Sequence, residues 1–190
     1  MTALNFVVHF RTPFSITAAQ SSDGIDARVD RDQLLPASSL KGLMRATALH
    51  DLYIRRSLVH QVFGRGFESR RSGDLGSPWA WSDGEVDESM KVGRQARLKI
   101  VGEGRSDEGS LLISECVWAD TAEFQVAQLR PIPADKIDDH RLVLRAAARG
   151  VTSLGHARRR GLGWVSIVDK QEWSVEDSGR LRELVGGEHR

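Results

Sequence analysis

Residues able to bind phosphate cluster at the start of the first predicted helix, in the run Leu-Pro-Ala-Ser-Ser-Leu-Lys-Gly-Leu-Met-Arg. Either Ser38 or Ser39 is suited to the cap position, where a hydroxyl accepts a hydrogen bond from one of the first helical amides. Lys41 and Arg45 follow in a region where the helix dipole favours acids by about 0.3–1 kcal/mol. Free amides, a hydroxyl, two cations and the small Gly42 favour a phosphate site. The alternative is a surface lysine beside an ordinary cap.

A second cationic group lies in a glycine-rich loop at 154–163, between the second predicted helix and the last predicted strand. The loop holds His156 and then, in a row, Arg158, Arg159 and Arg160. Its glycine spacing matches neither the Walker loop nor the dinucleotide-binding fingerprint. Arginines beside accessible amides suit a polyphosphate chain, so this concentration of like charge favours an anionic partner over an ordinary surface loop.

Acidic residues precede the first cationic group, in a segment at about 18–34. Four acids alternate there with two arginines: Asp23, Asp26, Asp30 and Asp32 with Arg28 and Arg31. Only Ile25 and Val29 are strongly apolar, so the segment is expected to protrude as a loop or short hairpin. A calcium loop does not fit, because the glycine and terminal glutamate of the EF-hand pattern are missing. A solvated, internally paired charge cluster is the simpler explanation from these residues alone.

Composition indicates a globular protein of 190 residues, with 40% apolar and 28% charged residues, large enough for one substantial core. The net charge of +1 means that any nucleic-acid surface must come from uneven placement of charge. A single cysteine, Cys116, excludes an internal disulfide and a cysteine-based zinc site. The chain shows no membrane-length apolar run and opens on a strand-like pattern instead of a leader, so we expect a cytoplasmic protein without a membrane partner.

The order of predicted elements indicates an α+β fold. Strand patterns lie at 4–11, 79–86, 94–104, 110–118, 123–130 and 164–168. Helices are predicted from the first cationic group to about Arg56, at 135–149, and as a short helix in the tail with Ser174 and Asp177 as a capping box. This order predicts a ferredoxin-like or RRM-like β-α-β-β-α-β sandwich, with insertions after the first strand and after the first helix.

The helix predicted at 135–149 obeys the dipole rule that the first helix breaks. Asp135 is its expected cap, and two more acids, Asp138 and Asp139, lie in its first turn. Arg145 and Arg149 lie in its last turn. Because the helix at 135–149 follows the dipole rule at both ends, the breach of this rule at Lys41 in the first helix indicates a function there.

Four motifs in sequential order resemble those of the RAMP superfamily of CRISPR-associated proteins. They are Ile25-Asp26-x-x-Val29-x-Arg31-Asp32, the run from Leu35 to Gly42, Phe63-Gly64, and the loop from Leu154 to Gly163. The closest likeness is to the backbone subunits of type III effector complexes. One departure is Ala37, where the family usually has glycine.

The resemblance implies an RRM-like domain over 1–170 with a thumb hairpin at about 18–34, followed by a tail at 171–190. Copies of such subunits stack with other CRISPR effector subunits along a guide CRISPR RNA that pairs with a target RNA. The guide backbone would be held by residues of both cationic groups: Ser38, Ser39, Lys41, Gly42, Arg45, His156, Arg158, Arg159 and Arg160.

The resemblance also implies target cleavage with a divalent metal, Mg²⁺ or Mn²⁺, by an aspartate in the segment before the first helix. Asp26 stands at the matching position and would be both the catalytic residue and the metal ligand. Asp32 would either share that role or pair with Arg31 or Arg28.

Three other functions stay open at this point. The chain could be a structural RNA-binding subunit that does not cut. It could be a metal-independent endoribonuclease that processes guide RNA, with His156 or His60 as general acid or base. Outside CRISPR, it could be a ferredoxin-like domain that binds an acidic small molecule or protein. The aromatic platform of ordinary RRM domains is not present in the predicted strands.

Overall fold

A computed structural model describes residues 3–16, 25–65, 76–101, 105–156 and 158–186, without the side chains of 98–101, 105–110 and 159. Its main sheet is antiparallel throughout, with β1 (Ala3–Phe10) between β6 (Thr121–Gln128) and β7 (Val165–Asp169). The short strands β2 (Trp79–Trp81) and β3 (Glu85–Val86) both pair with β6. The spatial order β2-β6-β1-β7 agrees with an α+β fold and is consistent with the ferredoxin-like arrangement.

Strict alternation along the strands places the core on one face of this sheet. On β1, Phe6 and Val8 are fully buried while Asn5 between its apolar neighbours is exposed. On β6, Phe124 and Val126 are buried and Gln125 is exposed. The helices cover the apolar face, and the opposite face is the more polar one.

The helices are α1 (Ala37–Ala46), α2 (Arg56–Phe63), α3 (Ala134–Gly150) and α4 (Val175–Leu184). A five-residue π-helical segment, Thr47–Asp51, continues α1. The predicted end of the first helix, at about Arg56, is therefore wrong. The chain turns at Tyr53, whose φ is 52°, and the separate helix α2 was not predicted.

The helix predicted at 135–149 is confirmed as α3. Its predicted cap is wrong, since Pro133 holds the cap position and Asp135 lies one residue inside the helix. Of the two arginines predicted in the last turn, Arg149 lies there and Arg145 lies before it. The buried guanidinium of Arg145 instead pairs with Asp169 of β7 and Asp177 of α4. The capping box of α4 is confirmed, with Ser174 Oγ accepting from the Asp177 amide at 3.0 Å.

Two long strands, β4 (Lys91–Val101) and β5 (Arg105–Trp118), form a separate antiparallel ribbon, which confirms the strand pair predicted at 94–104 and 110–118. Residues 25–29 lie along β5, with Ala27 in parallel register with Ser114. This part of the acidic segment packs against the ribbon and does not protrude, because Ile25 and Val29 are buried.

The thumb assignment at about 18–34 stays a prediction, and residues 17–24 lie outside the described part of the chain. No helix in the described ranges is long and apolar enough to cross a membrane.

Candidate functional site

The first turn of α1 is anchored by an acid from another part of the chain. The helix begins at Ala37 after Pro36, so Ser38 and Ser39 lie inside the first turn and the predicted serine cap is wrong. The Ala37 amide instead donates to Oδ1 of Asp83 at 2.7 Å. Hydrogen bonds from the Gln33 side chain and the Ala37 amide lower the pKa of Asp83. The anion that the helix dipole favours therefore comes from the turn after β2.

Lys41 lies over an aromatic surface on the same side of the sheet. Its ammonium is 5.0 Å from the ring centroid of Trp81, a cation–π distance. The Trp81 ring stacks on Phe63 of α2 at 5.6 Å, and its indole N–H donates to the Met44 sulfur at 3.4 Å. Contacts from a strand and two helices therefore fix the surface that positions Lys41.

Most of the predicted phosphate ligands of α1 line one cleft of about 230 Å³, called here the α1 cleft. Its described lining is Ser38, Lys41, Gly42, Arg45, Phe63, Gly64, Arg65, Gly76 and Ser77. Ser39 is not part of this lining, and none of the described lining residues is acidic. The Arg45 Nε atom is buried and has no hydrogen-bond partner in the described part of the protein. An anion is therefore the ligand that this cleft favours.

The Phe63-Gly64 motif is part of the lining of the α1 cleft. Gly64 ends α2 with a φ of 80°, and a Cβ there would lie 2.9 Å from the Ser77 nitrogen. Ser77 Oγ donates in turn to the Val62 carbonyl at 2.7 Å. The glycine is required because the end of α2 and residue 77 meet backbone to backbone.

The glycine-rich loop packs on the segment that follows β1. The His156 amide donates to the Ser15 carbonyl at 2.6 Å, and the Gly163 amide donates to the Pro13 carbonyl at 2.7 Å. The prediction that the loop offers accessible amides is therefore wrong for these two amides. The side chain of His156 and residues Arg158 and Arg160 are exposed, whereas the Arg159 side chain lies outside the described residues.

Asp26 is exposed and lies beside β5. Its carboxylate Oδ2 accepts a hydrogen bond from the Ile113 amide at 2.7 Å. Asp32 is also exposed, and its amide donates to Oδ1 of Asp30. Of the two arginines proposed as partners of Asp32, Arg31 forms its ion pair with a different acid.

That acid is Glu115, a site residue that the sequence interpretation missed. Its buried carboxylate accepts from Arg31 Nη2 at 3.1 Å and from the Val29 amide at 3.3 Å. Its carbonyl accepts from Ser15 Oγ at 2.9 Å. Glu115 is the one charged residue in the strand predicted at 110–118, and this was the available signal, because a charged residue needs a partner when buried.

These contacts join some predicted site residues and leave others apart. Ser15 binds both the glycine-rich loop, through the His156 amide, and β5, through Glu115. The loop and the Asp26 segment are therefore connected across β5. The described lining of the α1 cleft contains neither Asp26 nor a residue of the loop.

The described residues contain no group of three or more His, Cys, Asp or Glu side chains that could hold a metal ion. Mg²⁺ commonly takes one or two carboxylates and completes its shell with water and phosphate oxygens. The exposed Asp26, with one oxygen outside the hydrogen bond to Ile113, fits that minimal donor set. The donor chemistry is therefore compatible with Mg²⁺ or Mn²⁺.

Comparisons with known proteins yield matches among solved structures. No family model matches the chain, and no curated protein matches it either. One similar structure is a chain of the apo state of type III-B Cmr-beta, with a TM-score of 0.67 and 14% identity over 90% of this chain and 98% of that chain. Another comes from type III-B Cmr-beta bound to cognate target RNA, with a TM-score of 0.68 and 13% identity. The match covers 97% of this chain and 99% of that chain. At these identities the agreement shows a shared fold, and at that level it confirms the resemblance to type III effector subunits.

Proposed function

We propose that this protein is a subunit of a type III CRISPR effector complex that binds the backbone of the guide RNA. The observation that carries the proposal is the fold match to chains of Cmr-beta over nearly the whole length of both partners. Other effector subunits, further copies of this chain and the target RNA are its proposed partners, in the cytoplasm. The thumb at 18–34 belongs to the same proposal.

Guide binding rests on the α1 cleft. Lys41 and Arg45 donate to phosphate oxygens, and Ser38 adds a hydroxyl at the same wall. Gly42 is exposed, and a Cβ there would have no described atom within 4 Å. Packing within the chain therefore does not require this glycine, although glycine destabilises a helix interior by about 0.5–1 kcal/mol relative to alanine. A close approach of the RNA backbone accounts for it.

The exposed arginines of the glycine-rich loop form a second backbone contact. Arg158 and Arg160 lie on the loop that Ser15 ties to β5, and Arg159 and His156 belong to the same loop. Phosphate contacts of this kind position an RNA strand without reading its sequence. Base pairing between guide and target would then supply specificity.

Target cleavage is the further part of the proposal, with Asp26 as the catalytic residue. The Ile113 amide donates to Oδ2 of this carboxylate, and the Asp26 carboxylate would hold the divalent metal. A bound Mg²⁺ or Mn²⁺ would stabilise the charge that develops on the phosphate under attack. Asp32 is exposed nearby in the sequence, and an accessory role for it belongs to the same proposal.

A structural subunit that does not cut is the second candidate. The observation in its favour is the hydrogen bond from Ile113 to Asp26 Oδ2, because it gives the aspartate a role in holding the segment against β5. Both candidates share guide binding and differ only in the chemistry at Asp26.

Guide binding is tested with the purified full chain. The protein is expected to co-purify with RNA, and Lys41→Gln should weaken binding of single-stranded RNA by about tenfold, equal to about 1.4 kcal/mol. Fluorescence anisotropy with a labelled oligoribonucleotide measures this. Lys170→Gln, at an exposed lysine outside the cleft, is the matched control and should bind like wild type. Equal binding by the Lys41 variant would reject the assignment of the α1 cleft.

A further inference from the structure

A second cleft lies next to the α1 cleft, along α2. It has a volume of about 570 Å³ and is called here the α2 trough; its described lining is Arg56, Ser57, His60, Gln61, Arg65 and Gly76. Arg65 and Gly76 also line the α1 cleft, so the two depressions share a wall. A ligand that leaves the α1 cleft past Arg65 enters the α2 trough.

The polar residues of the trough form one continuous face of α2. Ser57, His60 and Gln61 stand at helical spacings of three and four, whereas Leu58, Val59 and the following apolar residues turn into the core. The face offers a hydroxyl, an imidazole and an amide beside guanidinium groups. None of the described residues that line it is acidic.

The position of Arg56 on α2 is unfavourable for a cation. It is exposed in the first turn of α2, a turn without an acidic residue, where a cation is disfavoured by the helix dipole. Among the described ion pairs none involves Arg56, in contrast to the buried Arg145, which pairs with Asp169 and Asp177. A ligand anion would compensate its unfavourable position.

The dimensions of the trough favour an extended polyanion over a single small one. The α2 residues that line the trough run from Arg56 to Gln61 and span about 9 Å at about 1.5 Å per residue. A strand advances by about 3.4 Å per nucleotide when stacked as in a duplex, so this length exceeds one phosphate group and accommodates two or more consecutive phosphates.

We propose that the α2 trough binds the phosphodiester backbone of single-stranded RNA, as a continuation of the strand held in the α1 cleft. This inference rests on the guide-binding function proposed above and adds Arg56, Ser57, His60 and Gln61 to the RNA path. The contacts are electrostatic and independent of base identity.

The test compares two adjacent arginines of the full chain. Arg55 precedes α2, is exposed like Arg56, and is not part of the described lining. Binding of a labelled oligouridylate is titrated by anisotropy at several salt concentrations. Arg56→Gln should reduce the slope of log affinity against log salt by about 0.7, as expected for one lost phosphate contact on a single strand. Arg55→Gln should keep the wild-type slope and affinity.

Each other outcome has a definite reading. If Lys41→Gln weakens binding while Arg56→Gln has the wild-type slope, the α2 trough is rejected and the α1 cleft stands. If the wild-type chain does not bind at low salt, both proposals fail. Equal losses of RNA affinity for Arg55→Gln and Arg56→Gln would indicate a nonspecific effect of surface charge and would reject the trough as an RNA site. Displacement of the RNA by inorganic tripolyphosphate at equal phosphate concentration would reject an extended strand as the ligand.

A second variant guards against an effect on folding. Ser57→Ala combined with Gln61→Ala keeps every charge and changes two exposed side chains of the trough. It should weaken binding severalfold without a change in salt slope, and urea unfolding midpoints should match wild type. Wild-type affinity in this double variant would reject the contact along α2.

Discussion

Asp26 and Ile113 are joined by two hydrogen bonds that hold the Asp26 carboxylate against β5. The Asp26 amide donates to the Ile113 carbonyl at 2.8 Å, and the Ile113 amide donates to Asp26 Oδ2 at 2.7 Å. An asparagine side chain also offers an oxygen acceptor, so it can keep the second bond while removing the charge. The structural and the chemical roles of Asp26 can therefore be separated.

Asp26→Asn is expected to abolish target RNA cleavage by the assembled complex while RNA affinity stays at the wild-type level. The amide oxygen still accepts from Ile113, so the free energy of unfolding should change by no more than about 0.5 kcal/mol, as is usual for surface substitutions. A gel assay of labelled target RNA with Mg²⁺ measures cleavage, and urea unfolding measures stability.

The variant to compare with Asp26→Asn is Asp32→Asn, which changes a second exposed aspartate of the same segment. Because Arg31 pairs with Glu115, loss of the Asp32 charge breaks no ion pair of Arg31. Because the proposal gives Asp32 an accessory role, the complex with this variant should cut more slowly than wild type but faster than the complex with Asp26→Asn. Unchanged cleavage by Asp26→Asn would reject Asp26 as the catalytic residue and favour the structural subunit.

Gly42→Ala should have opposite effects on stability and on binding. A Cβ at this exposed helical position meets no described atom within 4 Å, so the protein should become more stable by about 0.5–1 kcal/mol. The same methyl group would obstruct an RNA backbone in the α1 cleft and weaken binding severalfold. Urea unfolding and anisotropy titration measure the two effects.

Gly179→Ala is the matched control for Gly42→Ala. Gly179 lies within α4, where a Cβ would also have no described atom within 4 Å. It should stabilise the protein by a similar amount and leave RNA binding unchanged. If both variants bind like wild type, RNA does not approach Gly42 closely.

Most strands and α3 could be predicted because their residues repeat a local pattern. Along β6, Phe124 and Val126 are buried and Gln125 is exposed, as an alternation of period two requires. The break between α1 and α2 has no such signal. Tyr53 adopts a positive φ without a glycine, and Arg56 begins α2 without an acidic first turn.

The site was predicted less completely because its decisive contacts are remote in sequence. Lys41 and Arg45 were predicted from a conflict with the helix dipole, but the structure places Lys41 just after the first turn of α1 and Arg45 in its last turn, where a cation is favoured. The acid at the start of α1 is Asp83, from the turn after β2. The role of Glu115 depends on contacts with Arg31 and Ser15, which local patterning does not encode. Buried polar contacts of this kind can be identified only from the tertiary structure.

Gly163→Ala should destabilise the protein far more than Gly161→Ala. Both glycines have positive φ angles, 70° and 82°, so each alanine introduces backbone strain of about 1–3 kcal/mol. A Cβ at Gly163 would also overlap the Leu154 carbonyl oxygen, whereas at Gly161 it meets no described atom within 4 Å. Thermal unfolding of the two variants measures the difference. Equal losses of thermal stability in the two variants would show that the loop can move away from Leu154.

Acidification should destabilise the protein through His140, which is buried against Trp79. Burial lowers the pKa of His140 below its ordinary value of 6.5, and the Trp79 indole N–H donates to Nδ1 at 3.2 Å, which requires that atom to be unprotonated. The unfolded chain therefore binds the proton first, so the stabilising contribution is complete above pH 6.5 and is lost as the pH falls. Urea unfolding at about pH 7.5 and about pH 5.5 measures this loss, within a range where carboxylates stay ionised. His140→Phe should be less stable than wild type at the higher pH, and its stability should depend less on pH. His50→Gln, at an exposed histidine, should keep the wild-type dependence of stability on pH. An unchanged pH slope in the His140 variant would assign the acid sensitivity to other groups.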